Sequence, residues 1–218
     1  MYKAVIFDMD GVLSDSEWIY VEKILEFLAE EGIRIKAEEI NDLFGRSMIF
    51  ICSELIDRYG LAEDARIYAQ RIHKMRDDHI RQNGLYPMEG ATDLVKELKN
   101  MGIPMAVASS ASIETIRSNM ERFGIADCFD AFVSGLNCPQ GKPWPDIFLY
   151  AAKALNKEPA ECIVIEDSAN GVTAAKRAGM YCYAFVPKKA VPQDLSPADA
   201  FITSFVGLSA HALINPGS

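Results

Sequence analysis

The strongest constraint this chain places on its own fold is a set of short, wholly apolar, β-rich runs: Ala4–Phe7, Met105–Ala108, Ala131–Val133, Cys162–Ile165 and Tyr181–Phe185, with a weaker run at Ala200–Ile202. A strand with one wet face alternates apolar and polar residues, whereas a strand apolar throughout is covered on both faces. Between the later runs lie helical patterns long enough for crossover connections. "GATDLVKELKNMG" sets Leu94, Val95 and Leu98 on one face, and Gly102, Gly124 and Gly179 follow the ends of three such stretches, where a left-handed residue lets the chain leave a helix. The pattern predicts an α/β fold around a Rossmann-like parallel sheet.

One interval breaks the rhythm. After Gly11 the chain reads as helix only: "SDSEWIYVEKILEFLAEEG" carries Val21, Ile24, Leu25 and Leu28 at helical spacing, and Ser14 with Glu17 fits a capping box. "AEEINDLFG", "MIFICSELIDRYG" and "AEDARIYAQRIHKMRDDHIRQNG" follow, separated by glycines. The expectation is an all-helical domain over 15–82, inserted between the first and second strands of a core made of 1–14 and 83–218. "NGLYPMEG" (83–90) reads as the return linker, with turn-forming residues at both ends.

The bulk chemistry narrows the function classes. A net charge of −9 argues against nonspecific nucleic-acid binding, which needs Lys and Arg to neutralise phosphates, though a local field can still draw in a small anion. His73, His79 and His211 are scattered, suggest no histidine metal site and read as surface residues. Cys52, Cys128, Cys138, Cys162 and Cys182 form no CxxC pair, and several sit in apolar runs, which reads as buried thiols rather than a disulfide framework. "MYKAVIFDMDG" is unlike a signal peptide, and no apolar run is long enough to cross a bilayer. A cytoplasmic protein without a membrane partner is expected, as a monomer or weak dimer.

Ligands of open parallel sheets bind outside the carboxyl ends of the strands. Reactive residues gather there four times: Asp8 and Asp10 after the first run, Ser109 and Ser110 after "MAVA", Lys142 in "GKPWPDIF" ahead of a helix, and Glu166 with Asp167 after "CIVI". Taken singly, each has a bland reading as a cap, a turn or a solvated charge. Taken together, four carboxylates in one crevice require a cation, and hard oxygen ligands suit Mg²⁺. One divalent cation, one ammonium and several donors around a carboxylate suit a phosphoryl group, which a carboxylate can attack to form an aspartyl-phosphate.

"DMDGVLSDSE", "VASSAS", "GKPWPDIF" and "IEDSANGVTAAKRAGM" resemble, in order and across essentially the whole chain, the four motifs of the haloacid dehalogenase superfamily. The helical insertion after the first motif resembles the C1-capped, β-phosphoglucomutase-like branch of phosphatases and mutases. The resemblance implies an HAD-like core and makes Asp8 the phosphorylated nucleophile and Asp10 the general acid and then base. It makes Ser109, with the Ser110 amide, the phosphoryl donors and Lys142 the neutralising cation. Glu166 and Asp167 would complete a Mg²⁺ shell with the Asp8 side chain and the Asp10 carbonyl. A second aspartate two residues after the first argues against dehalogenation, which needs neither metal nor acid.

Substrate choice in this branch is implied to rest on the helical insertion, expected to close over the strand ends and exclude water. Tyr20 stands where the family's mutases carry a histidine, and Met48 where they carry a phosphate-gripping arginine, with Arg46 two residues earlier. Both departures favour hydrolysis of a small phosphorylated metabolite, a sugar phosphate, over the alternative of a hexose-phosphate mutase. Trp18, Tyr20 and Phe50 are candidates either for pocket walls or for core. A phosphonate hydrolase would need a Schiff-base lysine, and no motif singles out Lys23, Lys36 or Lys74. A phospho-accepting receiver module would lack both the insertion and the second aspartate.

Overall fold

The computed structural model describes residues 2–15, 17–43, 48–187 and 193–217. The chain divides into two compact units, one drawn from Met1–Asp15, Tyr86–Ala190 and Asp194–Ser218, the other centred on Ser16–Leu85.

In chain order the elements are β1 (Ala4–Phe7), β2 (Ser14–Asp15), α1 (Glu17–Glu30), α2 (Met48–Tyr59), α3 (Ala65–Asn83), β3 (Tyr86–Pro87), α4 (Ala91–Asn100), β4 (Met105–Ser109), α5 (Ile113–Arg122), β5 (Ala131–Ser134), α6 (Asp146–Ala154), β6 (Cys162–Glu166), α7 (Ala169–Arg177), β7 (Tyr181–Phe185), β8 (Ala200–Ile202) and α8 (Ala210–Ile214). The six longer strands form one sheet in the order β5-β4-β1-β6-β7-β8, every pairing parallel. The apolar runs account for that sheet. Ala4, Ile6, Ala106, Ala108, Cys162, Val164, Cys182 and Ala184 pack against Phe148, Ala151 and Ala152 of α6 and Val172, Ala174 and Ala175 of α7. Alanine on both sides of this interface lets helices approach the sheet closely. The alternate residues Val5, Phe7, Met105, Val107, Ile163 and Ile165 point to the opposite face and are equally buried. Gly102, Gly124 and Gly179 are all left-handed, as their place after helices requires.

Sheet register decides where chemistry can occur. Phe7 of β1 pairs with Val107 of β4 and with Ile165 of β6. The next residue, Asp8, therefore stands level with Ala108 and Glu166, one step short of Ser109. From β5 the chain crosses back over β1 to β6, so these ends surround the switch point of the sheet, where a crevice opens.

Two expectations differ from the structure. Ser14 is not a helix cap: α1 begins three residues later, and Ser14 is buried in β2 with its hydroxyl donating to the Met9 carbonyl at 3.0 Å. The segment 83–90 is more than a linker, since Tyr86 and Pro87 pair antiparallel with Asp15 and Ser14. Both misreadings come from local patterns that fit two structures, decided here by pairing between segments far apart in sequence.

The helical unit has its own core: Ile24, Phe27 and Leu28 of α1, Ile51, Cys52 and Leu55 of α2, and Tyr68, Ala69 and Ile72 of α3, with Ile40 and Leu43 from a 3₁₀ segment, Ala37–Leu43. Asp64 caps α3 by accepting from the Arg66 N–H, and Gly84 ends it. Among the described residues no helix is long and apolar enough to cross a membrane. All five cysteines are free, and Cys52, Cys162 and Cys182 are buried. His73 and His211 are exposed, whereas the His79 ring packs edge-on against Trp18 and is largely covered.

Candidate active site

β1 delivers Asp8 into the crevice, and the chain then turns sharply on one carbonyl. The Met9 oxygen accepts from the N–H groups of Leu13 and Ser14 at 2.9 and 2.8 Å and from the Ser14 hydroxyl. This knot holds Asp10 within electrostatic range of Asp8, whose carboxyl its charge helps to raise. Gly11, at the knot's centre, has φ of +81°, and a Cβ there would lie 1.9 Å from an Asp167 carboxylate oxygen. Glycine is thus required twice, by the backbone and by the neighbouring acid.

Lys142 joins two strands electrostatically. Its ammonium donates to the Asp8 carboxylate, to Glu166 Oε1 at 2.6 Å and to the Ala108 carbonyl at 3.5 Å, and it lies over the Phe148 ring. Glu166, 1% exposed, accepts hydrogen bonds on both oxygens: Oε2 from the Ser168 N–H and hydroxyl at 2.7 and 2.9 Å, and Oε1, among the described residues, only from Lys142, which leaves it a lone pair. It therefore orients Lys142 and ties it to the first turn of α7. Gly171 in that turn makes room, since a Cβ there would sit 1.8 Å from the Glu166 carboxylate. Ser109 ends β4, buried, and its oxygen accepts from the Ala111 N–H at 3.1 Å, leaving the O–H to donate. Ser110 follows it, exposed, and the Ser134 hydroxyl fastens this loop by donating to the Ala111 carbonyl at 2.6 Å.

The charge balance is lopsided. Burial pushes the Asp8 carboxyl up, to about 7, with Lys142 pulling down against it and Glu166 and Asp10 adding to the rise. Burial alone would lower the Lys142 ammonium, but Asp8 and Glu166 outweigh this and hold it protonated above its ordinary value. One ammonium does not compensate this many acids. Asp8, Glu166 and Asp167 each bring a carboxylate oxygen within 4.8 Å of the others. A compact set of hard oxygens with surplus negative charge fits a hard divalent cation.

Asp8, Lys142, Glu166 and Asp167 thus meet directly, with Asp10 and Ser109 at the same strand ends. Tyr20 and Met48 lie in the helical unit. The Tyr20 hydroxyl pairs with His73 Nδ1 at 3.1 Å, the Arg76 guanidinium lies over its ring, and Met48 opens α2, packed on that unit's core. Arg46 lies outside the described residues. Phe50 is 40% exposed, so it is not a core residue. Lys23 is buried, and although burial works to lower its ammonium, hydrogen bonds to Glu26 and Glu22 win and raise it. An amine held protonated is a poor Schiff-base nucleophile. Sequence reasoning passed over Gly11, Gly171, Ser134 and Ser168 as working parts. The Ser168–Gly171 spacing just after an acidic strand end was the available signal for two of them.

The family model for haloacid dehalogenase-like hydrolases matches residues 5–185. The bifunctional riboflavin kinase/FMN phosphatase of Arabidopsis thaliana is 31% identical over 176 residues, 80% of this chain and 46% of that protein. The β-phosphoglucomutase of Bacillus subtilis is 32% identical over 188 residues, covering 82% of this chain and 81% of that one. The chain therefore spans under half the length of the first relative and most of the second. A HAD family hydrolase from Deinococcus radiodurans R1, solved with bound phosphate and sodium, superposes with a TM-score of 0.80 at 26% identity, over 98% of this chain and 96% of that one. Strand-end chemistry, sheet topology and similarity over most of the chain converge: this protein belongs to the haloacid dehalogenase-like hydrolases, in their β-phosphoglucomutase-like branch.

Proposed function

We propose that this chain is a Mg²⁺-dependent phosphatase of a small phosphomonoester, a sugar phosphate, working through an aspartyl-phosphate on Asp8. The carrying observation is the buried contact of Lys142 with both Asp8 and Glu166, at the carboxyl ends of adjacent strands. It supports the reading because it pairs a buried carboxylate with a buried cation at strand ends, the combination that attack on a phosphoryl group needs.

In this reading Asp8 attacks phosphorus. Lys142 neutralises the phosphoryl oxygens together with Asp8, and the Ser109 hydroxyl and Ser110 amide donate to those oxygens. Asp10 protonates the leaving oxygen and afterwards takes a proton from the water that hydrolyses the acyl phosphate. Mg²⁺ bound by Asp8, Asp167, Glu166 and the Asp10 carbonyl would supply the positive charge this acid-rich site lacks. The helical insertion, 15–82, is given the choice of leaving group. Tyr20 and Met48, in place of a mutase's histidine and arginine, favour water over sugar as final acceptor. Free thiols favour a reducing, cytoplasmic setting, and the enzyme is taken to act as a monomer or weak dimer.

The test is a panel of sugar and nucleotide phosphates with and without Mg²⁺, reading inorganic phosphate and isomer formation together. Metal-dependent phosphate release is expected. Isomerisation without net hydrolysis would replace this reading with that of a hexose-phosphate mutase.

A further inference from the structure

The turn that carries Lys142 is shallowly rooted for the work it does. Residues 141–144 form a turn closed by the Trp144 N–H donating to the Gly141 carbonyl at 3.0 Å, with Gly141 and Trp144 exposed. From this surface turn a flexible four-carbon side chain must place its ammonium between two buried carboxylates. A second tie comes from the far end of α7. Arg177 Nη1 donates to the Pro143 carbonyl at 3.0 Å, and its guanidinium lies over the Trp144 ring, 5.0 Å from the centroid. The same helix begins at the Ser168 cap, where Glu166 is held. Arg177 thus fastens the Lys142 turn to the element that fixes Lys142's own partner.

We infer that Arg177 is a positioning residue: it sets the Lys142 ammonium against Asp8 and Glu166 by clamping Pro143 and Trp144, without touching the reacting atoms. The chemistry of the clamp is specific. A guanidinium can donate in its plane to the carbonyl while offering its flat face to the indole, and a lysine can make only the first contact well. Reacting groups misplaced by about 1 Å cost up to 10²-fold in rate, so slack in an exposed turn is felt at the buried end of the side chain.

The inference rests on the phosphatase reading for its kinetic arm but not for its spectroscopic one. With p-nitrophenyl phosphate and Mg²⁺, R177A is expected to lose roughly tenfold in kcat with KM within about twofold, and orthovanadate inhibition should weaken by the same factor. R177K should recover part of the loss. W144L should lose less than R177A, and the double variant no more than R177A alone. Independently of turnover, Lys142 lies over the Phe148 ring, so its ε-CH₂ protons carry a ring-current shift, assignable by comparison with K142M. R177A should move that signal toward the ordinary lysine position while the unfolding midpoint stays near wild type. An unmoved Lys142 signal in folded R177A overturns the inference, as does wild-type kcat in R177A. Wild-type protein inactive on every phosphomonoester would sink the phosphatase reading instead, and the Lys142 signal would still decide the role of Arg177.

Discussion

Replacing Gly11 by alanine adds one methyl group and attacks the site in two separable ways. The residue sits at φ of +81°, where an L side chain is strained, a cost of about 1–2 kcal/mol in stability. The new Cβ would also lie 1.9 Å from Asp167 Oδ2 and 2.6 Å from Cγ. Ordinary contact between such atoms begins near 3.4 Å, so the Asp167 carboxylate must retreat by about 1.5 Å. A displacement of that size moves a proposed metal ligand from its place in the group of carboxylate oxygens, Asp8, Glu166 and Asp167, that now lie within 4.8 Å of one another. At up to 10²-fold per ångström of misplacement, the loss in kcat should be of the order of 10². The Mg²⁺ concentration for half-maximal activity should rise as well. The assay is steady-state turnover across a Mg²⁺ titration, beside a urea melt that measures the total cost to stability. Turnover within threefold of wild type at the same half-saturating Mg²⁺ would refute the reasoning, because it would mean Asp167 had no need of that space.

Other consequences are independent of Gly11. K142M leaves Asp8 and Glu166, 6% and 1% exposed, without the ammonium between them, so metal-free protein at pH 8 should lose about 3–5 kcal/mol in urea melts and kcat should fall about 10²–10³-fold. Mg²⁺ should raise the unfolding midpoint of wild type, by about 2.7 kcal/mol of stability at a hundred times its Kd, and D167N should abolish most of that gain in a thermal-shift titration. Burial pushes the thiols of Cys52 and Cys162 up to about 11 and of Cys182 up to about 12, from 9.0. The folded state keeps these thiols neutral while the unfolded chain ionises them, so stability holds below pH 9 and is lost as pH rises above it. Each thiol contributes about 1.4 kcal/mol per pH unit until its folded value is reached. Urea melts at pH 8 and pH 10 should show the loss, and C182A should make it shallower.

What could be read from the chain alone follows physical lines. A parallel sheet buried on both faces writes itself as apolar runs, and a ligand crevice at strand ends puts its polar residues where each run stops. Asp8, Ser109, Glu166 and Asp167 are legible for that reason, and the structure does bring Lys142 onto Asp8 and Glu166. Requirements set by partners distant in sequence leave no local trace. Gly11 is demanded by Asp167, Arg177 reaches Pro143, and β2 is only two residues long and exists because Tyr86 and Pro87 return to it. Ser14 shows the converse: its spacing to Glu17 matches a helix cap, but burial and the Met9 carbonyl claim its hydroxyl.

The most direct test of the account is to trap the enzyme during turnover. Protein mixed with p-nitrophenyl phosphate and Mg²⁺, quenched and reduced with borohydride, should yield homoserine at position 8 in peptide mass spectra, the product of a reduced aspartyl-phosphate. D8N should give neither the modification nor phosphate release. Homoserine at another acid, or phosphate release that persists in D8N, would contradict the claim that Asp8 carries the phosphoryl group.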